Sequence, residues 1–494
     1  MNERGKSDSL VVPAKPLNKA QAAEAVEERG LAEGNTAGST RPGRRAGSGV
    51  PNGLDRVREA ARNDKDAQFT ALLHHVDLDR LRAAYRALNP RAAAGVDRVT
   101  WDAYGQDLED NLRDLHRRVH RGSYRARPSR RAYIPKADGR QRPLGITTLE
   151  DKILQRAVVE VLNAVYEVDF LGFSYGFRPG RSPHDALDAL AVGISGKKVN
   201  WVLDADIRDF FTSLDQGWLQ KFVEHRIADR RILRLIRKWL SAGVVEDGKW
   251  SETVEGSPQG ASVSPLLANV YLHYVLDLWA QQWRRRHARG DVIIVRFADD
   301  FVVGFEHLGD AKRFLRDLRG RFAKFCLQLH PDKTRLIEFG RFAARDRAAR
   351  GLGKPETFDF LGFTHICGKG RSGRFWLRRI TISKRLRAKL KQVKDQLMRR
   401  RHLPIREQGR WLASVVRGHL AYYAVPGNAQ AINAFRVQIG RHWLRALRRR
   451  SQRHRLTWQR MSRLLKRWLP PTRILHPHPD VRFAARTQGR SPVR

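Results

Sequence analysis

Residues 292–305, VIIVRF-ADD-FVVGF, set two apolar, β-branched runs around Ala298-Asp299-Asp300. Apolar runs of this length, broken by short polar residues, read as two strands joined by a tight turn. The turn places two adjacent carboxylates at an exposed tip. Two like charges about 4 Å apart repel by roughly 4 kcal/mol at the effective dielectric of a protein surface. A folded chain keeps such a pair most easily when a cation bridges it, with a third carboxylate supplied from elsewhere. A solvated acidic turn is the commoner fate of an Asp-Asp pair; the apolar flanks argue against it here.

Residues 199–215, VNWVLDADIRDFFTSLD, offer the third carboxylate. If 201–207 is a strand, its side chains alternate. Val202, Asp204 and Asp206 then share one face, and Trp201, Leu203, Ala205 and Ile207 share the other. Asp204 and Asp206 are both candidates, and periodicity does not choose between them. Asp209 and Phe211 fall just past the strand end.

The chain has 494 residues, with 95 Lys and Arg against 51 Asp and Glu, a formal net charge of +44. That excess points to a polyanionic partner, nucleic acid first. An anionic membrane is the weaker alternative, because no long uncharged apolar span or lipidation signal is present. The first residues lack the apolar core of a signal peptide. Two isolated cysteines, Cys326 and Cys367, make no Cys-rich zinc site and read as buried thiols in a reducing compartment.

In chain order, residues 1–52 are rich in Gly, Ala, Arg, Pro and Ser and read as a disordered basic tail. Residues 54–124 read as helical. Residues 130–147 form a basic hairpin turning at Asp138-Gly139, with Lys136, Arg140 and Arg142 projecting from it. Such a hairpin beside a carboxylate site can clamp a triphosphate. A helix over 149–168 leads to the loop SYGFRPGRSPHDAL, whose Arg178 and Arg181 suit phosphate contact or a structural role. A helical segment at 218–240 precedes an irregular loop of small residues, Gly256-Ser257-Pro258-Gln259-Gly260, and another helix. The Asp-Asp hairpin, a helix over 310–325, a strand starting near Lys333 and a short strand at 358–363 complete an α+β unit.

From residue 384 the character changes. Residues 384–401 carry nine basic residues and one acid, with Leu386, Leu390, Val393 and Leu397 as an apolar stripe. Residues 408–479 hold 15 Lys and Arg and no acid. Two further stripes persist there: Ile432, Phe435, Ile439 and Trp443, then Trp458, Met461, Leu465 and Trp468. Helices with one packed side and one cationic side favour RNA or DNA binding. The HPHP run at 476–479 reads as an extended turn.

Taken together, the blocks NPRAAAGVDRVTW, YIPKADGRQRPLGI, SYGFRPGRSPHDAL, DADIRDFF, GSPQGASVSPLLAN, RFADDF, LHPDKT, FLGF and RGHLAYYAVPGN resemble, in order and spacing, the group II intron-encoded reverse transcriptases and maturases. The likeness covers about residues 69–483. It implies a right-hand polymerase: fingers and a palm with an antiparallel sheet and catalytic hairpin over 53–370, an all-α thumb and maturase region over 371–483, and a tail over 484–494. It implies that Asp206, rather than Asp204, joins Asp299 and Asp300 in holding two Mg²⁺ ions, with the Ile207 carbonyl completing one shell and Mn²⁺ able to substitute. It implies nucleotide contacts from Lys136, Arg142, Phe211, Gln259, Gly260 and Lys333. Phe211 would act as the gate against a ribose 2′-hydroxyl. Lys333 would be either a proton donor or a salt-bridge partner. RNA contacts would come from Arg178, Arg181, Arg417, Tyr422, Tyr423, Arg441 and Arg448.

The implied partners are group II intron RNA, an RNA template with DNA primer, target DNA and dNTPs, with no membrane. The implied location is the bacterial cytoplasm, near the nucleoid. Phe297 stands where the family commonly has Tyr, and no nuclease pattern of the HNH type follows the maturase region. The competing expectations are a splicing-only RNA-binding maturase and a domesticated relative serving phage defence or CRISPR adaptation. The intact acidic trio argues against the first, and the RGHLAYYAVPGN block against the second.

Overall fold

The computed structural model describes residues 53–135, 141–246, 249–251, 256, 260–370, 373–450 and 456–487. The expected tail over 1–52 and the turn expected at Asp138-Gly139 lie outside the described residues.

Helices open the chain: α1 (Gly53–Asn63), α2 (Leu78–Arg86), α3 (Trp101–Gln106) and α4 (Leu108–His120). Their starts are marked by side chains that accept a backbone N–H, Asp77 for α2 and Thr100 for α3. The basic hairpin follows as β1 (Ser129–Pro135) and β2 (Gln141–Ile146), paired from Arg130–Ile146 to Pro135–Gln141. Two helices come next, α5 (Leu149–Asp169) and α6 (Pro183–Gly196). The latter starts with a capping box between Ser182 and Asp185 and a proline in its first turn.

β3 (Trp201–Ala205) then leads to α7 (Gln216–Glu224) and α8 (Arg230–Leu240). The single helical segment expected over 218–240 is two helices. Asp229 breaks it: its carboxylate accepts the N–H groups of Leu72, Leu73 and Arg231, and so cannot sit inside a helix. Two short strands, β4 (Val244–Glu246) and β5 (Lys249–Ser251), extend the basic hairpin into a sheet of order β2-β1-β4-β5, with β1 and β4 parallel. Sequence reading missed them, although Asp247-Gly248 between them is a hairpin signal.

After α9 (Ser264–Leu272) the helix widens into one π-turn, His273–Asp277, and continues as α10 (Leu278–Arg286). The hairpin β6 (Val292–Phe297) and β7 (Asp300–Phe305) leads to α11 (Leu308–Lys324), β8 (Arg335–Glu338) and α12 (Ala343–Ala349). A central antiparallel sheet of order β6-β7-β3-β8 results. The alternation expected for β3 holds. Val202 packs with Val295, Val302 and Ile337 in one core, and Leu203 and Ala205 pack with Ile294, Phe301 and Val303 in another on the opposite face. The strand ends at Ala205, and Ile207 makes only an isolated bridge to Leu329.

A third sheet, β9 (Phe358–Phe360), β10 (Phe363–Lys369) and β11 (Phe375–Thr381), crosses the boundary expected at 370/371. β10 and β11 pair along their whole length, so no domain edge falls between them. The basic helices follow: α13 (Ser383–Arg399), α14 (Ile405–Tyr423), α15 (Ala429–Arg448), α16 (Trp458–Trp468) and α17 (Pro479–Thr487). The expected tail at 484 is helical to Thr487. Arg482 and Arg486 of α17 pair with Asp188 and Asp185 of α6, which fixes the segment to the body. The stripe Ile432, Phe435, Ile439 and Trp443 is fully buried, whereas Trp458 at the start of the α16 stripe is exposed. Cys326 is exposed rather than buried; only Cys367 is partly covered. Among the described residues no helix is long and apolar enough to cross a membrane.

Trp443 anchors the helical region. Its indole N–H donates to Gln408 at 2.9 Å, and the Gln408 amide donates to the carbonyls of Arg400, Arg401 and Leu403 between α13 and α14. Trp443→Ala is expected to cost about 3–5 kcal/mol of stability. The urea midpoint followed by far-UV circular dichroism measures it; an unchanged midpoint would show that these helices do not depend on this core.

Candidate active site

The carboxylates meet at one end of the central sheet. β3 lies beside β7 with Ala205 opposite Phe301, so one further step of the same register sets Asp206 beside Asp300. Residues directly opposite in an antiparallel pair point to one face. Asp300, Val302, Asp204 and Asp206 therefore share the face on which Val202 and Val302 pack against the second core. Asp204 stands one pair further in, opposite Val302 on one side and Arg335 on the other. Asp299 occupies the two-residue turn with Ala298, since Phe297 pairs with Asp300.

Each acid has a different surrounding. Asp206 accepts a short hydrogen bond from the Lys333 ammonium, and Asp204 pairs with Arg335 at 3.3 Å. Burial raises the Asp204 carboxyl to about 6 against the pull of Arg335. Burial likewise raises Asp299 to about 6, and the neighbouring Asp206 adds to the push. Asp300 is raised well above the usual carboxylate range by burial, then by Asp299, Asp204 and Asp206; Arg385 at the start of α13 opposes this. These mutual effects identify one shared patch of negative charge that disfavours its own ionisation.

Among the described residues no group of three His, Cys, Asp or Glu side chains stands arranged to hold a metal ion. The donor chemistry still suits a hard divalent cation. The acids are oxygen donors that raise one another's affinity for positive charge, and Lys333 already answers that demand at Asp206. The Ile207 carbonyl adjoins them. The two backbone bonds around the Ile207–Leu329 bridge use the Asp206 carbonyl and the Arg208 N–H, and neither uses the Ile207 oxygen.

The remaining expected residues divide. Phe211 is buried, stacked edge-on against Phe210, and the loop at Gly256 lies against the Phe211 carbonyl and Thr212. Gly260 has φ +104°, and a Cβ there would stand 2.6 Å from the Gly145 carbonyl of β2. That close approach ties the small-residue loop to the basic hairpin and requires glycine. Lys136 and Gln259 lie outside the described residues, as does the side chain of Arg142.

Arg178 is a correction. It is 5% exposed, and its guanidinium is consumed by Glu167 and the carbonyls of Leu171 and Ser174. Arg181 also turns inward, donating to Gly172 and stacking over Tyr175. Tyr423 is buried, and Tyr422 donates to the Leu361 carbonyl while stacking on Phe363. Both tyrosines hold α14 against the third sheet, and Tyr423 is closed to RNA. Arg417, Arg441 and Arg448 are exposed.

Sequence reading missed Arg335 and Gly176. Arg335 was visible as a cation on the strand after Lys333, on the face that meets Asp204. A Cβ on Gly176 would stand 2.2 Å from the Ala298 nitrogen, so the SYGF loop braces the acidic turn. Nothing in the local sequence marks that contact.

The sequence profile of the reverse transcriptase (RNA-dependent DNA polymerase) family matches residues 134–365, which take in β2 of the basic hairpin, the central sheet and the acidic turn. Protein YkfC of Escherichia coli is 33% identical over 274 residues, 49% of this chain and 71% of YkfC. Group II intron-encoded protein LtrA of Lactococcus lactis is 34% identical over 238 residues, 48% of this chain and 39% of LtrA. Nuclear intron maturase 2 of Arabidopsis thaliana is 27% identical over 190 residues, 30% of this chain and 25% of that protein. The alignments therefore span well under half of the named intron proteins. With an α+β polymerase domain, its acidic turn and these relatives together, the chain belongs to the family of group II intron reverse transcriptases and maturases.

Proposed function

We propose that this protein is an RNA-directed DNA polymerase that binds group II intron RNA, assists its splicing and copies it into DNA by target-primed reverse transcription. The observation that carries the reading is the convergence of Asp206, just past the end of β3, with Asp299 and Asp300 at the β6–β7 turn. Asp206, Asp299 and Asp300 with the Ile207 carbonyl would hold two divalent ions. When bound, these would acidify the primer 3′-hydroxyl and neutralise charge on the departing pyrophosphate.

The chain's own residues do the rest. Lys136 and Arg142 on the basic hairpin take the triphosphate oxygens. Gln259 and Gly260 line the nascent base pair, and Gly260 keeps that loop against β2. The Phe211 ring occupies the space that a ribose 2′-hydroxyl needs. Lys333 neutralises Asp206 and stands where a proton could pass to pyrophosphate. Helices α13 to α16 form the thumb and maturase region. Its exposed Arg417, Arg441 and Arg448 take RNA phosphates, a role that Arg178 and Tyr423 cannot fill.

Asp299→Ala removes one of the ion-holding oxygens. Primer extension on an RNA template is expected to fall by at least about 1,000-fold, the equivalent of several kcal/mol of charge stabilisation. Intron RNA binding by filter retention is expected to persist. Extension at the wild-type rate would refute the assignment.

Phe211→Val opens the sugar pocket. The ratio of ribonucleotide to deoxyribonucleotide incorporation is expected to rise by about 10- to 200-fold. An unchanged ratio in single-nucleotide extension assays would count against the gate.

Binding of single-stranded RNA regions should weaken steeply with salt. Replacing Arg417, Arg441 and Arg448 together by Ala is expected to reduce the slope of log K against log salt by about 2. A slope equal to that of the wild type would place the phosphate contacts elsewhere.

A further inference from the structure

β6 is apolar except for Arg296, which stands three residues before the carboxylate pair and is 0% exposed. A guanidinium stays charged at any working pH, so each buried N–H needs an acceptor. Nε and Nη2 donate to the two oxygens of Asp277 at 2.7 and 2.6 Å, and Asp277 is also 0% exposed. Nη1 donates to Asn269 Oδ1 at 2.9 Å and to the Ala298 carbonyl at 2.8 Å. Asn269 in turn donates through Nδ2 to the Gly176 carbonyl at 2.7 Å. Gly176 is the residue whose backbone lies directly on Ala298. The flanking backbone is held as well: Arg296 N–H donates to Phe173, and its carbonyl accepts from Tyr175.

The object so held is strained. Ala298 has φ +59°, a left-handed conformation that an L-residue with a Cβ disfavours. It is the residue that sets the direction of Asp299. Core stability alone gives no reason for the charges, because a well-packed apolar pair would fill the same space without desolvating them. An apolar pair could not hold a carbonyl. Asp277, moreover, ends the π-turn between α9 and α10, a rare distortion that often marks a functional position.

We propose that Arg296, Asp277 and Asn269 form the positioning device of the acidic turn. The guanidinium holds the Ala298 carbonyl, which keeps Ala298 left-handed and fixes where Asp299 and Asp300 stand against Asp206. None of the three touches substrate, and they are positioning residues. The inference rests on the polymerase reading of the turn.

The test uses the full chain with poly(rA)/oligo(dT), in six forms: wild type, Asn269→Ala and the apolar pair replacement Arg296→Met with Asp277→Leu, each with and without Ala298→Gly. Five quantities are measured: kcat and KM for dTTP, Mn²⁺ binding by electron paramagnetic resonance, template–primer affinity and thermal unfolding. Misplacement of the acids by Asn269→Ala is expected to lower kcat by about 10- to 100-fold. Mn²⁺ binding should weaken in parallel, while template–primer affinity and KM stay at wild-type values. Adding Ala298→Gly should recover most of the lost rate, because glycine takes the left-handed turn without being held.

Folded variants with wild-type kcat and Mn²⁺ binding would overturn the proposal. So would a loss of rate that follows the loss of thermal stability and that glycine at 298 does not restore. Should the pair replacement fail to fold, the Asn269→Ala series decides. Should the wild type fail to extend the primer, the polymerase reading falls and Mn²⁺ binding across the same variants decides the role of the network.

Discussion

Four carboxylates gather at one end of a sheet, where burial penalises the charges of Asp204, Asp299 and Asp300 and the neighbouring acids add to the penalty. The rest of the structure can be traced from that constraint. Burial and mutual repulsion raise Asp204, Asp299 and Asp300 together. The surrounding cations come from separate elements. Lys333 reaches Asp206 from the turn before β8, Arg335 reaches Asp204 from β8 itself, and Arg385 acts on Asp300 from the first turn of α13. The register of β8 and the position of the first basic helix are thus bound to the electrostatics of the acids.

The central sheet explains why the acids gather at an end. Both of its faces are covered, one by the core around Leu203 and Phe301 and the other by the core around Val202 and Val302. Ionised groups cannot sit in the middle of such strands without partners. The two exceptions in the strands' interior obey the rule: Arg296 is paired with Asp277, and Asp204 with Arg335. Beyond Ala205 and at the 298–299 turn the chain leaves the sheet, and there carboxylates become available to a ligand.

Much of this was legible from periodicity. The alternation of residues 201–207 assigned both faces of β3, and the apolar runs flanking Ala298-Asp299-Asp300 gave the hairpin. The stripe from Ile432 to Trp443 gave α15 its buried side. What could not be read was partnership. Arg178 sits in a Gly- and Pro-rich loop like a phosphate ligand, yet Glu167, eleven residues away on α5, consumes it. Tyr423 lies in a motif read as RNA-gripping, yet it closes the third sheet. The pairing of β10 with β11 removes the domain edge that the family likeness implied at 370/371. The choice of Asp206 over Asp204 came from family likeness alone, because two residues of one strand face differ only in how far they stand from the end.

Net charge deserves the same separation of spent from available cations. Arg178, Arg226, Arg296 and Arg379 are buried in ion pairs with Glu167, Asp169, Asp277 and Asp188, and they add nothing to an external field. Each cancels an acid, so the formal excess resides in the exposed residues, concentrated on α13 to α16. Those helices pack through Val393, Leu397, Phe435 and Trp443 into the same core as Val202 and Val302. That core covers the sheet face to which Asp204, Asp206 and Asp300 belong. The cationic helices and the acids therefore lie on one side of the sheet, the arrangement a duplex needs if its backbone follows the positive surface and its growing end stops at the carboxylates.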